Sequence, residues 1–233
     1  MLDPISYTIT YSNRRTVSIA INADGTVSVR APKFIKKTEL DKIVEGKREW
    51  ILKKQKLVVQ NYEIAQRKRD FDFTTSQKML YRGKEYPIEL VYSKGLRFPI
   101  VSFAEDKFLV YYGVLESKKI REAFLIWYKK TAKEVFLKRV AYYQKIIQEP
   151  IGQIHIKDQK CCYGSCSAKR NLNFNWKCIL APPEILDYIV VHELCHLKQM
   201  NHSKEFWNLV ERYYPDYKQA RKWLKDNGML LEI

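Results

Sequence analysis

The stretch Tyr188-Ile189-Val190-Val191-His192-Glu193-Leu194-Cys195-His196-Leu197 decides the reading of this chain. Histidines four positions apart on a helix, at about 100° per residue, present both imidazoles on one face. Two neutral imidazole nitrogens placed so can meet one divalent cation, and Glu193, one step round from His192, stands beside that cation rather than on it. A carboxylate there can take a proton from a cation-bound water. Ile185, Leu186, Ile189 and Val190 make the helix apolar and therefore largely buried. Placing two histidines and a carboxylate in such a helix is costly unless their polar atoms are used.

A third ligand must come from the two remaining histidines, His155 and His202. His155 alternates within Ile154-His155-Ile156 and reads as a structural strand residue. His202 follows His196 by six residues, the spacing of HExxHxxGxxH, with Gln199 at the glycine position. Asn201 tolerates the left-handed conformation that ends a helix and would let the chain double back. Ser203 then suits the cap of a new helix bearing Phe206, Trp207, Leu209 and Val210, which would hold the third ligand on a rigid element. The pattern is that of a zincin, with His192, His196 and His202 as Zn²⁺ ligands and Glu193 as the catalytic base. Cys195 is an alternative fourth ligand, which would close the site and make it structural.

Working upstream, Ala181-Pro182-Pro183-Glu184 opens the helix, and Leu172, Phe174, Trp176 and Cys178 alternate as a strand after a turn near Ala168 to Asn171. Gly164-Ser165-Cys166 reads either as a strand flanking the metal helix, able to pair with an extended peptide, or as a bulge. A helix beginning near Ser117 carries Ile120, Phe124, Trp127 and Val135, and strands fill Lys78 to Tyr112, punctuated by Arg82-Gly83-Lys84 and Glu105-Asp106. Ile43, Trp50, Leu57 and Ile64 recur every seven residues beside Val44, Ile51, Val58 and Ala65, which predicts one long amphipathic helix with Thr38 as its N-cap. Before it, Tyr7, Ile9, Tyr11, Val17, Ile19, Ile21, Val27 and Val29 alternate as strands, with Ala23-Asp24-Gly25 as a turn. The expected fold is α+β: a β-rich N-terminal part with a long helix over residues 1–115, then a zincin-like metallopeptidase domain, a small sheet plus the HExxH helix, over 116–233.

The runs Tyr163-Gly164-Ser165-Cys166-Ser167, Asn173-Phe174-Asn175-Trp176, Leu180-Ala181-Pro182-Pro183, Val191-His192-Glu193-Leu194, Asn201-His202-Ser203-Lys204-Glu205-Phe206-Trp207 and Pro215-Asp216-Tyr217 resemble the YgjP-like metallopeptidase family, which is related to the SprT-like and WLM zinc peptidases. The resemblance is close from about Tyr163 to Gly228 and general upstream. It implies a zincin fold, zinc on His192, His196 and His202, Glu193 as base, and a peptide or protein substrate. The chain departs from the family at Cys162-Tyr163, where an Arg-Trp pair usually precedes Gly-Ser-Cys.

With 233 residues, 46% of them hydrophobic and 29% charged, the chain has enough apolar material for a real core, which excludes disorder. Its net charge of +16 points to polyanions or acidic substrates. Residues 1–70 hold 15 basic and 8 acidic side chains, 71–150 hold 15 and 9, and 151–233 hold 12 and 9. Nucleic acid is thus a candidate partner through the basic N-terminal two thirds, away from the histidines. Metal-dependent hydrolysis of a nucleotide or phosphate ester, and a DNA-associated SprT-like protease or binding module, are the alternatives to a peptidase. No signal-peptide pattern opens the chain and no apolar run reaches the roughly 20 residues that span a bilayer, so no membrane and a cytoplasmic setting are expected. Five cysteines, Cys161, Cys162, Cys166, Cys178 and Cys195, are an odd number without a CxxC pair and suit a reducing compartment. Tyr163, Tyr213 and Tyr214 are candidates to stabilise an oxyanion.

Overall fold

A computed structural model of the chain describes residues 4–22, 24–69, 73, 77–159, 162–228 and 231, with the backbone alone over 60–69. They form two compact units, residues 1–70 and 71–233. The fold is α+β, as expected.

In the first unit, β1 (Thr8–Ser12), β2 (Ser18–Ile21) and β3 (Val27–Pro32) make a sheet in the order β1-β3-β2, with β3 parallel to β1 and antiparallel to β2. Strand alternation turns Val27, Val29 and Ala31 inward, where Leu40, Val44 and Ile51 complete a small core. The single long helix expected here is two helices, α1 (Lys37–Glu45) and α2 (Arg48–Arg69). The break falls at Gly46, a poor helix former, whose N–H still closes on the Lys42 carbonyl as the helix ends. The N-cap is Lys36, not Thr38, because the Lys36 carbonyl already accepts the N–H groups of Glu39 and Leu40. The side chains of Ile64 and Ala65, and Ala23 of the expected turn, lie outside the described residues.

The second unit opens with β4 (Lys78–Tyr81), β5 (Lys84–Tyr92), β6 (Ile100–Ala104) and β7 (Lys107–Tyr112), in the order β4-β5-β7-β6. Both tight turns, Arg82-Gly83 and Glu105-Asp106, have positive φ at each central residue, between 50° and 80°, so their twist matches that of the strands they join. Along α3 (Ser117–Ile147), Phe124, Tyr128, Ala132, Phe136, Val140 and Ile147 form one buried face. That face serves the strands before it and the segments after it, including Phe174, which stacks on Phe136 at 4.4 Å. Residues on both sides of position 115 therefore share one core, and the units divide at residue 70 instead of between 115 and 116.

After α3 come β8 (Ile154–Lys157), β9 (Gly164–Cys166) and β10 (Leu172–Asn175), in the order β8-β10-β9, with β10 parallel to β8 and antiparallel to β9. The strand expected to run through Cys178 stops at Asn175, and Trp176–Leu180 is a short 3-10 helix. Asn175 causes the change: its Oδ1 accepts from the Lys177 N–H, while its Nδ2 donates to the carbonyls of Gln159 and Cys162. The helix that carries His192 is α4 (Pro183–Cys195), followed by α5 (Lys204–Tyr213) and α6 (Tyr217–Asn227).

Two sets of contacts hold α4 in place. Arg139 on α3 makes a two-pronged ion pair to Asp187, at 2.5 and 2.7 Å. The Arg82-Gly83 turn donates its N–H groups to the carbonyls of Ile179 and Leu180, at 3.0 and 2.8 Å, just before α4 begins. Gly83 lies so close there that a Cβ would stand 2.6 Å from Cγ of Pro182, at a φ of +80°. Among the described residues, no helix is long and apolar enough to cross a membrane.

Candidate metal centre

His192 sits in the last turn of α4 and His196 caps it, so helix geometry alone aligns the two rings. His202 comes back to them through the turn at residues 197–203. Asn201 does not adopt the expected left-handed backbone, since it is not among the positive-φ residues. Its side chain makes the turn instead: Oδ1 accepts from the Ser203 N–H at 3.3 Å and from Gln199 Nε2 at 2.9 Å. Ser203 caps α5 as expected, its hydroxyl accepting from the Phe206 N–H. Aromatic rings then pack on the histidines, with Phe206 stacked on His196 at 4.4 Å and Trp207 on His202 at 5.6 Å.

The nitrogens of His192, His196 and His202 all lie within 4.8 Å of one another, and the Nε2 atoms of His192 and His202 are 3.1 Å apart. The second ring nitrogens of His192 and His196 are occupied. His196 Nδ1 meets the Gln199 carbonyl at 3.0 Å, and His192 Nδ1 meets the Tyr188 hydroxyl at 3.3 Å. A carbonyl only accepts, so Nδ1 of His196 carries the proton and Nε2 keeps its lone pair. Burial, reinforced by the neighbouring imidazoles, pushes His192 down to about 3, and burial also lowers His196. Both rings are neutral at pH 7, the state a cation requires.

These residues fit a metal ion. Tetrahedral Zn–N bonds of about 2.0–2.1 Å separate the ligand nitrogens by about 3.3 Å, close to the spacing of His192 and His202. Three imidazoles without a thiolate or carboxylate are a donor set suited to zinc. His202 is exposed, so the cluster is open on one side, as a catalytic site must be. Cys195 is fully buried in the core and is not part of the cluster, which removes the closed, structural alternative among the described residues. His155 on β8 also stays apart, and Cys161 lies outside the described residues.

Glu193 is 5% exposed, and its Oε2 has no hydrogen-bond partner among the described residues. Burial pushes its carboxyl up to about 8. A buried carboxyl oxygen without a partner is costly unless it is used, which makes Glu193 a candidate for proton transfer. Gly164 lies directly against it, where a Cβ would be 2.7 Å from Oε1. β9, the edge strand carrying Gly164, forms one wall of a cleft of about 460 Å³ that also holds His192, Glu193, His196 and His202. Tyr163, Tyr188 and Leu224 line it as well. Of the three candidate oxyanion donors only Tyr163 lines the cleft. The Tyr214 hydroxyl is committed to the Glu184 carbonyl at 2.7 Å. Sequence reasoning misses Tyr188, although its position four residues before His192 on one helix is a readable signal. It also misses the Gln199 carbonyl, which no side-chain pattern announces.

The family model described as "YgjP-like, metallopeptidase domain" matches residues 15–227. A UTP pyrophosphatase of Escherichia coli (strain K12) is 33% identical over 94 residues, which are 38% of this chain and 56% of that protein. The chain thus spans little more than half the length of that relative. Two solved structures are also similar over 39% of this chain. The metallopeptidase zymogen abylysin of Pyrococcus abyssi matches at 25% identity and TM-score 0.35 over 93% of its length. The zymogen jannalysin of Methanocaldococcus jannaschii matches at 26% and 0.35 over 94%.

Proposed function

The chain belongs to the YgjP-like, metallopeptidase-domain family, and from that premise we propose that it is a zinc-dependent hydrolase of peptide bonds with Glu193 as its general base. The observation that carries this reading is the placement of three imidazoles and one buried carboxyl, whose Oε2 has no partner among the described residues, on a single cleft beside a sheet edge. His192, His196 and His202 would hold the ion through nitrogens left free by the Tyr188 and Gln199 contacts. When bound, zinc supplies Lewis-acid polarisation of a carbonyl and acidifies water. Glu193 accepts the proton released at Oε2 and delivers it to the leaving amine; a carboxyl raised by burial is suited to both transfers. β9 pairs with β10 on one side and leaves its other edge to receive an extended peptide by main-chain hydrogen bonds. Tyr163 lines the cleft, and its hydroxyl, which lies against Gly228, is the candidate donor to an oxyanion.

A second reading, hydrolysis of a phosphoanhydride in a nucleoside triphosphate, is favoured by the similarity to a UTP pyrophosphatase and would use the same base. The described residues lining the cleft include no Lys or Arg, which weighs toward the peptide. Turnover of an unfolded polypeptide and of UTP should be compared for the wild type, Glu193→Gln and His202→Ala, with zinc content measured alongside. Polypeptide cleavage lost in both variants, with zinc retained in Glu193→Gln, is expected. Consumption of UTP alone would move the assignment to the second reading, and full activity in zinc-loaded Glu193→Gln would refute both. Nucleic acid is proposed as a partner of the basic first 150 residues, with retention on DNA that weakens steeply as salt rises.

A further inference from the structure

Leu224, which lines the cleft, lies on α6 one turn after Arg221, so the two residues share a helix face. The guanidinium carbon of Arg221 lies over the indole of Trp207, 4.1 Å from its centroid, and that same indole stacks on His202. The charge of Arg221 is felt at both Tyr188 and His192. Arg48, Arg139 and Arg170 are spent on Glu45, Asp187 and Glu149. Arg221 has no hydrogen bond or ion pair among the described residues.

Two physical arguments separate this arrangement from ordinary packing. Stacking on an indole restrains the guanidinium plane and leaves its in-plane N–H donors open, a preformed fork for two oxygens of one anion. The positive charge of Arg221 also acts on His192, where it opposes a second cation, and an anion bound to Arg221 would relieve that opposition. We infer that Arg221, outside the residues that line the cleft but on the same face of α6 as Leu224, stands at the cleft's rim and engages there an oxyanion of the substrate, a carboxylate or a phosphate. The inference rests on the reading of the cleft as a hydrolytic site.

The test is binding, so that it does not depend on turnover. Zinc-loaded Glu193→Gln protein, with and without Arg221→Gln, is titrated by calorimetry with a short peptide ending in a free carboxylate, with its C-terminal amide, and with inorganic pyrophosphate. Losing a forked, charge-assisted contact should weaken anion binding by about tenfold or more. The amide should bind equally to both proteins. A loss confined to the peptide carboxylate identifies the source as peptide, and a loss confined to pyrophosphate identifies it as phosphate. Equal weakening of acid and amide, or no weakening of either anion, would overturn the inference. Zinc content and melting temperature check that the fold is intact. Should Arg221→Gln unfold, Arg221→Lys keeps the charge without the fork, and it should still lose affinity for the anion and not for the amide. Failure of the hydrolase reading shows up separately, as absent turnover in the wild type.

Discussion

Replacing Gly164 by alanine would test whether the close approach of β9 to Glu193 sets the position of the base. The added Cβ would stand 2.7 Å from Oε1, 2.8 Å from Cγ and 2.9 Å from Cδ of Glu193. Comfortable contact lies near 3.5 Å, so something must move by about 0.7–0.8 Å. The strand cannot easily yield, because Gly164 is in register with Phe174 on β10, whose ring is buried against Phe136. The movement therefore falls on the carboxylate. Overpacking of this kind costs about 1–3 kcal/mol of stability. Displacing a catalytic group by about 1 Å costs roughly a hundredfold in rate. The expected result is kcat/KM lowered about a hundredfold, a modest fall in Tm, and unchanged zinc content, since the three atoms nearest the new methyl group all belong to Glu193. Wild-type kcat/KM in a folded, zinc-loaded Gly164→Ala protein would show that Glu193 has room to spare and that this packing does not position it.

Three further outcomes are expected. Burial raises the Glu193 carboxyl to about 8 from an ordinary 4.5, so the folded state keeps a proton that the unfolded chain releases. The stability this contributes is complete below pH 4.5 and is lost as pH rises through about 8. In protein stripped of metal, Glu193→Gln should thus raise Tm at pH 8 and change it little at pH 4.5; an equal shift at both pH values would contradict the assignment. Tyr188→Phe removes the oxygen 3.3 Å from His192 Nδ1 and should weaken zinc affinity by about 10–100-fold, read by competition with a chelator. Unchanged affinity would show that the hydroxyl does not orient the ring. Gly83→Ala forces a methyl group to 2.6 Å from Pro182 Cγ at a positive φ and should lower unfolding free energy by about 1–3 kcal/mol in a urea titration. No loss would mean that the turn does not brace the start of α4.

The histidine cluster is legible in the sequence because it is local. Histidines four apart on an apolar helix must share a face, and a restart capped by Ser203 brings His202 within reach, so eleven residues of chain specify which side chains meet. Hairpins with Arg-Gly and Glu-Asp at their tips are readable for the same reason, since their geometry depends on neighbouring residues. Where local patterns compete, the text alone decides wrongly. The heptad repeat continues through Gly46 while the helix does not, and alternation continues past Asn175 while its side chain diverts the backbone. The turn before His202 is made by the Asn201 side chain, although an asparagine there equally suits a left-handed backbone.

Tertiary structure decides the rest. Gly164 against Glu193, Gly83 under Pro182, Arg139 on Asp187 and Arg221 on the Trp207 platform join residues between 14 and 99 positions apart. The division at residue 70 depends on which segments share a core. No periodicity encodes such pairings, because they arise only when separate apolar faces are buried together. Local spacing along the chain is enough to show that three histidines and a carboxylate can form a metal site; packing decided how that carboxylate is desolvated and which wall faces it.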